Sequence, residues 1–370
     1  MLPLKRKLFS SIHLYVAAAQ RGARCMITID RKTSIQEVGR TLRRTIDPDT
    51  TVGSRDRVVN MALRDKPVLA TTIGTDVFQS GNIKWKQFNV DTSPKPLLVF
   101  TPTVKGTYPV ILFCHGFAIC NSYYSKLLGH ITSHGYIVVA PQLFTLGLPM
   151  PGLCEVKFAG KVADWIAIGL QPKINENIQE NVQAKLDTIV LAGHSKGGKT
   201  AFAVALGHAE TNQKFSALIG IDPVAGPSKC KITRTLPHIL TGQTQSFNLN
   251  MPVVVIGTGL GPEMSNCFPI SCAPDGVNHE EFFYECKPPC AHFVAKDYGH
   301  MDMLDDDVGS LLKCICKNGI APKDFMRRTL GGLVVAFLKA YLYNQWEDFK
   351  AILEDPNLAP AKLEDPVFYS

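Results

Sequence analysis

The chain has 370 residues, 45% of them hydrophobic, which excludes a disordered chain with few apolar residues and a high charge density. Its formal net charge is +7, but Lys5-Arg6-Lys7 and Arg43-Arg44 place much of the excess in the first fifth, so the charge identifies no nucleic-acid partner. Eleven cysteines are too few for a disulfide-stapled scaffold, and an odd count leaves at least one thiol unpaired.

Residues 1–28 contain Lys, Arg, Ser and Ala but neither Asp nor Glu, the composition of an organelle transit peptide; the first acid is Asp30. The apolar stretch over 12–19 is too short and too interrupted for a secretory core, and a solvated terminus is the other reading. Residues 1–67 are therefore read as an extension, 68–348 as one α/β domain and 349–370 as a C-terminal tail.

From residue 84 onward, short β-branched runs alternate with helical stretches, the pattern of a mostly parallel sheet with crossover helices on both faces. About eight strands are expected, at 84–90, 97–101, 110–115, 137–140, 188–192, 217–222, 253–257 and 292–296. Helices are expected at 124–134, 155–169, 199–206, 303–314 and 325–346. Runs such as Val110-Ile-Leu-Phe and Val253-Val-Val-Ile suit strands buried on both faces. No stretch supplies the roughly twenty apolar residues needed to span a bilayer. Long connections at 142–156, 226–250 and 259–289 suit lids or pocket walls.

Chemistry concentrates at Asp187-Thr-Ile-Val-Leu-Ala-Gly-His-Ser-Lys-Gly-Gly, a strand, a Gly-x-Ser-x-Gly turn and a helix start. A serine on such a turn is raised above the sheet edge, and the flanking glycines let backbone approach. This marks Ser195 as the nucleophile of an α/β-hydrolase fold. A serine needs a base, and among ten histidines His300 follows the last expected strand and precedes a helix. His292 lies within that strand, His279 in a polar loop, and His194 is assigned a packing role. Asp222 ends a strand 27 positions after the serine and is the favoured acid; Glu263, one strand later, competes with it. The oxyanion donors are expected to be the N–H groups of Lys196, after the serine, and of Phe117, in Phe113-Cys-His-Gly-Phe.

Six cysteines, Cys267, Cys272, Cys286, Cys290, Cys314 and Cys316, crowd one stretch. They form no paired Cys-x-x-Cys set and no His pair follows, so local bridges or buried thiols are expected rather than zinc.

Taken together, several blocks resemble the plant chlorophyllases. They are Gly193-His-Ser-Lys-Gly-Gly-Lys-Thr-Ala-Phe, Phe215-Ser-Ala-Leu-Ile-Gly-Ile-Asp-Pro-Val, Cys272-Ala-Pro-Asp-Gly-Val-Asn-His and Lys296-Asp-Tyr-Gly-His-Met-Asp-Met-Leu, with Pro141-Gln-Leu and Gly332-Leu-Val-Val-Ala-Phe-Leu-Lys-Ala-Tyr. The resemblance runs from about Val77 to Tyr343. It implies hydrolysis of the phytyl ester of chlorophyll by a Ser-Asp-His triad, carried here by Ser195, Asp222 and His300. It implies no protein-bound metal or cofactor, the magnesium belonging to the substrate. Lys196 departs from it, since the family usually has arginine there.

A phytylated tetrapyrrole needs a wide apolar cleft, and Phe144, Leu146, Leu148, Met150 and Leu153 can line one. Such a substrate also suits peripheral membrane association. Targeting lies outside the resemblance; the leading composition points to the chloroplast, with vacuole, endoplasmic reticulum and cytosol as alternatives. Two rival functions share these residues: a lipase or carboxylesterase acting on other hydrophobic esters, and a non-catalytic hydrolase-fold receptor for a small apolar ligand.

Overall fold

In the computed structural model, residues 12–15, 26–29, 76–144, 152–265, 269–309 and 314–370 are described. The chain divides into Met1–Gly74 and Thr75–Ser370. In the first unit, β1 (Ile12–Tyr15) pairs antiparallel with β2 (Met26–Ile29). The remaining residues of the expected transit segment lie outside the described residues.

The second unit is built on one nine-stranded sheet. Its strands are β3 (Trp85–Val90), β4 (Leu97–Pro102), β5 (Gly106–Cys114), β6 (Ile137–Pro141), β7 (Val182–His194), β8 (Phe215–Ile221), β9 (Val253–Thr258), β10 (Cys290–Ala295) and β11 (Val367–Tyr369). Across the sheet the order is β11-β10-β9-β8-β7-β5-β6-β4-β3. The six strands from β6 to β10 run parallel, and the antiparallel pairings lie toward the edges, at β3–β4, β4–β6 and β10–β11.

The interior strands read as continuous apolar runs because helices cover both faces. Along β5 the side chains alternate between two cores: Val110 and Leu112 enter one, Ile111 and Phe113 the other. The Ile111 side is covered by α1 (Ser125–Ser133), α5 (Lys323–Tyr343) and α6 (Glu347–Glu354), through Leu127, Leu333 and Phe349. The Leu112 side is covered by α2 (Gly152–Asn177), α3 (Lys196–Ala205) and α4 (His279–Glu285), through Ile166, Phe202 and Phe282. No helix among the described residues is long and apolar enough to cross a membrane.

Three expectations need correction. The supposed tail at 349–370 belongs to the fold: Phe349 and Ile352 of α6 are fully buried, and β11 pairs with β10. Three residues, Val-Phe-Tyr, are too few to show a strand period. The expected helix at 303–314 is replaced by turns over the described 303–309, while α4, only seven residues long, falls inside the connection expected at 259–289. Helix α2 also continues past Gly169, through Pro172, to Asn177.

Candidate active site

The turn from β7 to α3 places Ser195 at φ +57°, ψ −126°, a conformation that costs a side-chain-bearing residue energy and is held by its surroundings. Its N–H donates to the Ile221 carbonyl (3.0 Å), and its own carbonyl accepts from Lys199 N–H and Val224 N–H (3.1 Å each). A Cβ on Gly193 would collide with the carbonyl of Gly197, and one on Gly197 with the carbonyls of Cys114 and His115. The two glycines of the motif are thus steric requirements of packing this turn against the end of β5.

Above the turn the structure brings three expected residues together. Ser195 Oγ lies 2.8 Å from His300 Nε2, and His300 Nδ1 lies 2.7 Å from Asp222 Oδ2. Asp222 leaves the end of β8 at φ +40°, and its N–H donates to Ile256 O of β9 (2.6 Å). Thr258 Oγ1 donates to Asp222 Oδ2 (2.6 Å), and Thr258 N–H donates to Oδ1 (3.3 Å). All three side chains are buried, Asp222 completely. Burial would raise the Asp222 carboxyl, but hydrogen bonding and charge from His300, with smaller contributions from His279 and Thr258, bring it down to about 2. The carboxylate can therefore orient the imidazole and stabilise its cation.

Glu263 is not part of this arrangement: it is exposed and lies 3.6 Å from Lys317 Nζ. His279 and His292 face each other at 2.9 Å. Asp302 and Asp305 are buried. Asp302 Oδ2 accepts from Gly299 N–H (2.7 Å) and Gly319 N–H (2.6 Å), and Oδ1 pairs with Lys323 Nζ at 3.2 Å, bracing the His300 loop. There is no helix at 303–309 for these acids to cap; Asp305 Oδ1 instead accepts from Lys126 N–H in the first turn of α1 (3.0 Å).

Of the expected oxyanion donors, Phe117 follows β5 in a turn, and its N–H has no acceptor among the described residues. Lys196 opens α3, where the helix dipole favours developing negative charge. Its side chain is nearly buried, donates to Glu155 Oε1 at 2.6 Å, and sets its ammonium 5.4 and 5.3 Å from the ring centres of Phe117 and Phe144. Phe144 is buried against His115 and Phe117, ring centres 4.7 and 5.9 Å away, and Leu153 is half exposed. Leu146, Leu148 and Met150 lie outside the described residues.

His194, expected only to pack, is hydrogen-bonded on both sides of its ring. It is fully buried, takes a 2.7 Å hydrogen bond from Tyr124 Oη on Nδ1, and donates from Nε2 to the His300 carbonyl (2.9 Å). Burial holds it well below the usual histidine range, so it is neutral. The signal that it does more than pack is tertiary, since Tyr124 and His300 are 70 and 106 residues away.

Comparison with known proteins settles the family. The family model described as Chlorophyllase matches residues 73–370. The chain belongs to the chlorophyllase family.

It is 50% identical over 317 residues to Chlorophyllase-1 of Arabidopsis thaliana, covering 82% of this chain and 95% of that protein. It is 48% identical over 316 residues to the protein named Chlorophyllase-1, chloroplastic, of Citrus sinensis, covering 82% and 91%. It is 43% identical over 304 residues to Chlorophyllase type 0 of Chenopodium album, covering 78% and 85%. Within this chlorophyllase-family chain the crowded cysteines divide by chemistry. Cys272 is bonded to Cys316, and Cys314 is also disulfide-bonded; Cys286 and Cys290 are free thiols in the core, and Cys267 lies outside the described residues.

Proposed function

We propose that this chain hydrolyses the phytyl ester of chlorophyll to chlorophyllide and phytol, with Ser195 as nucleophile, His300 as general base and acid, and Asp222 as the acid that orients the base. The observation that carries this reading is the continuous hydrogen-bonded chain Ser195 Oγ, His300 Nε2, His300 Nδ1, Asp222 Oδ2 in a chlorophyllase-family fold.

The steps follow from that geometry. His300 Nε2 takes the Ser195 proton as Oγ attacks the ester carbonyl, and Asp222 stabilises the imidazolium. Charge builds on the carbonyl oxygen, where the N–H groups of Phe117 and Lys196 serve as donors; one such donor is worth about 3 kcal/mol in the transition state. Collapse expels the phytyl oxygen, which takes the proton from His300. Water, deprotonated by His300, then attacks the acyl carbonyl, and Ser195 Oγ leaves with the proton returned by His300, releasing chlorophyllide.

The half-exposed Phe117 and Leu153 and the buried Phe144 supply apolar wall for the substrate, joined in this reading by Leu146, Leu148 and Met150. A substrate with a long isoprenoid chain partitions into lipid, so peripheral association with a membrane belongs to the same proposal. The chloroplast is the assigned compartment, supported by the leading composition and by the word chloroplastic in the names of two citrus relatives.

The test is incubation with purified chlorophyll a, with chlorophyllide and phytol separated and quantified beside a Ser195→Ala control. Equimolar products from the wild type and a loss of about a million-fold in the variant are expected. Turnover by the variant at the wild-type rate would refute the mechanism.

A further inference from the structure

The free N–H of Phe117 is useful to an oxyanion only if it points in a fixed direction. A peptide unit is planar and trans, so the N–H of one residue points opposite to the carbonyl of the residue before it. Whatever grips the Gly116 carbonyl therefore aims the Phe117 N–H. That grip comes from His115: its Nδ1 lies 2.8 Å from Gly116 O.

The tautomer is set from the other side of the ring. Leu143 N–H donates to His115 Nε2 at 3.0 Å, and the Gln142 side-chain amide at 3.2 Å, so Nε2 accepts and Nδ1 carries the hydrogen. The ring is 1% exposed, and burial lowers its pKa to about 4, which keeps it neutral. The preceding peptide is held too. Gly116 N–H donates to Tyr124 Oη (3.0 Å), whose hydroxyl donates to His194 Nδ1. A side chain at 116 has no room, since an added Cβ would press on Ile119, His194 and Tyr124.

We propose that His115 is a positioning residue: by holding the Gly116 carbonyl with Nδ1–H, it aims the Phe117 N–H at the oxyanion that forms on the substrate. This rests on the reading of Ser195 and Phe117 given above. His115 touches no reacting atom; it acts through one peptide plane. Held rigidly beforehand, a donor needs no reorganisation as charge develops, so the contribution appears in kcat and not in substrate affinity.

Two conservative variants separate this role from packing. Asparagine presents an amide near the position of Nδ1 and can hold Gly116 O while leaving Leu143 N–H unpaired; glutamine reaches the Nε2 position and does the reverse. Both are assayed on chlorophyll a in detergent micelles, beside Ser195→Ala, with kcat and KM measured per folded protein. His115→Gln should lose ten- to a hundred-fold in kcat with KM within about two-fold, while His115→Asn should keep kcat within about three-fold of wild type. Equal kcat in the two variants, or a larger loss in His115→Asn, would overturn the proposal. Full turnover by Ser195→Ala would instead remove the reading beneath it. An inactive Ser195→Ala with an undiminished His115→Gln would remove the positioning role alone.

Discussion

The proposed nucleophile and the proposed base are held in place by different means. Ser195 sits on a short turn at positive φ before α3, where Gly193 leaves room for the Gly197 carbonyl and Gly197 for the carbonyls of Cys114 and His115. His300 sits on a loop that has no regular structure of its own and is tied from outside. Asp302 grips Gly299 and Gly319, Leu260 N–H donates to the Tyr298 carbonyl (3.0 Å), and His194 holds the His300 carbonyl. The 314–319 segment packed there is anchored by the Cys272–Cys316 bond. One partner of the pair is thus preorganised by the close packing of one short turn, the other by hydrogen bonds and a disulfide that tie a loop, and the two should fail differently.

Short of removing the nucleophile itself, the largest effect is expected on the base side. Asp222→Asn should keep the fold but lose about 10⁴-fold in kcat, because the amide favours the wrong tautomer of His300. Glu263→Gln should stay within two-fold of wild type in the same assay. A large loss in Glu263→Gln with little in Asp222→Asn would move the acid to the next strand. Removing the tether comes next. For a bond spanning 44 residues, the loop-entropy argument gives an upper figure of about 4 kcal/mol, reduced to the extent that the bridge of Cys314 keeps the same segment close. Cys272→Ser with Cys316→Ser should therefore lower the urea midpoint and, below that midpoint, lower kcat while leaving labelling of Ser195 by an organophosphate detectable. Unchanged stability would show that the loop is held without the bond.

The smallest effect tests the nucleophile side through pH. Burial lowers His115 from 6.5 to about 4, and likewise His130, which lies in α1 and donates to Val77 O rather than to the site. The unfolded chain then takes up protons below about pH 6.5 that the folded chain refuses until about pH 4, so stability is full above that window and falls as pH drops through it. Each histidine contributes a slope of up to about 1.4 kcal/mol per pH unit. Urea titrations between pH 7 and 4 should show this decline, shallower in His115→Asn; an identical slope in the two proteins would contradict the neutral, buried state of His115.

How much of this was legible in advance differs with the range of the forces involved. The eight expected strands each overlap an observed one, because runs such as Val110-Ile-Leu-Phe are buried on both faces whatever their neighbours are. The turn at Ser195 was equally plain, since its Gly-x-Ser-x-Gly signature lies within a few residues, although the carbonyls that demand Gly197 come from Cys114 and His115. The edge strand β11 was not, being three residues whose state depends on β10 offering a free edge. Nor was the burial of Asp302, whose partners Gly299, Gly319 and Lys323 are gathered by the fold.

The sequence by itself determined the alternation of strands and helices, the nucleophile turn and which residue types could serve as base and acid, since steric limits and apolar periodicity act over short stretches. Only the tertiary structure decided that Asp222 and not Glu263 meets His300, which cysteines join, and that His115, Tyr124 and His194 form one hydrogen-bonded set around the site. The physical reason is that a hydrogen bond requires its partners within about 3 Å. For residues tens of positions apart, that distance is set by how the sheet orders its strands, which no local pattern encodes.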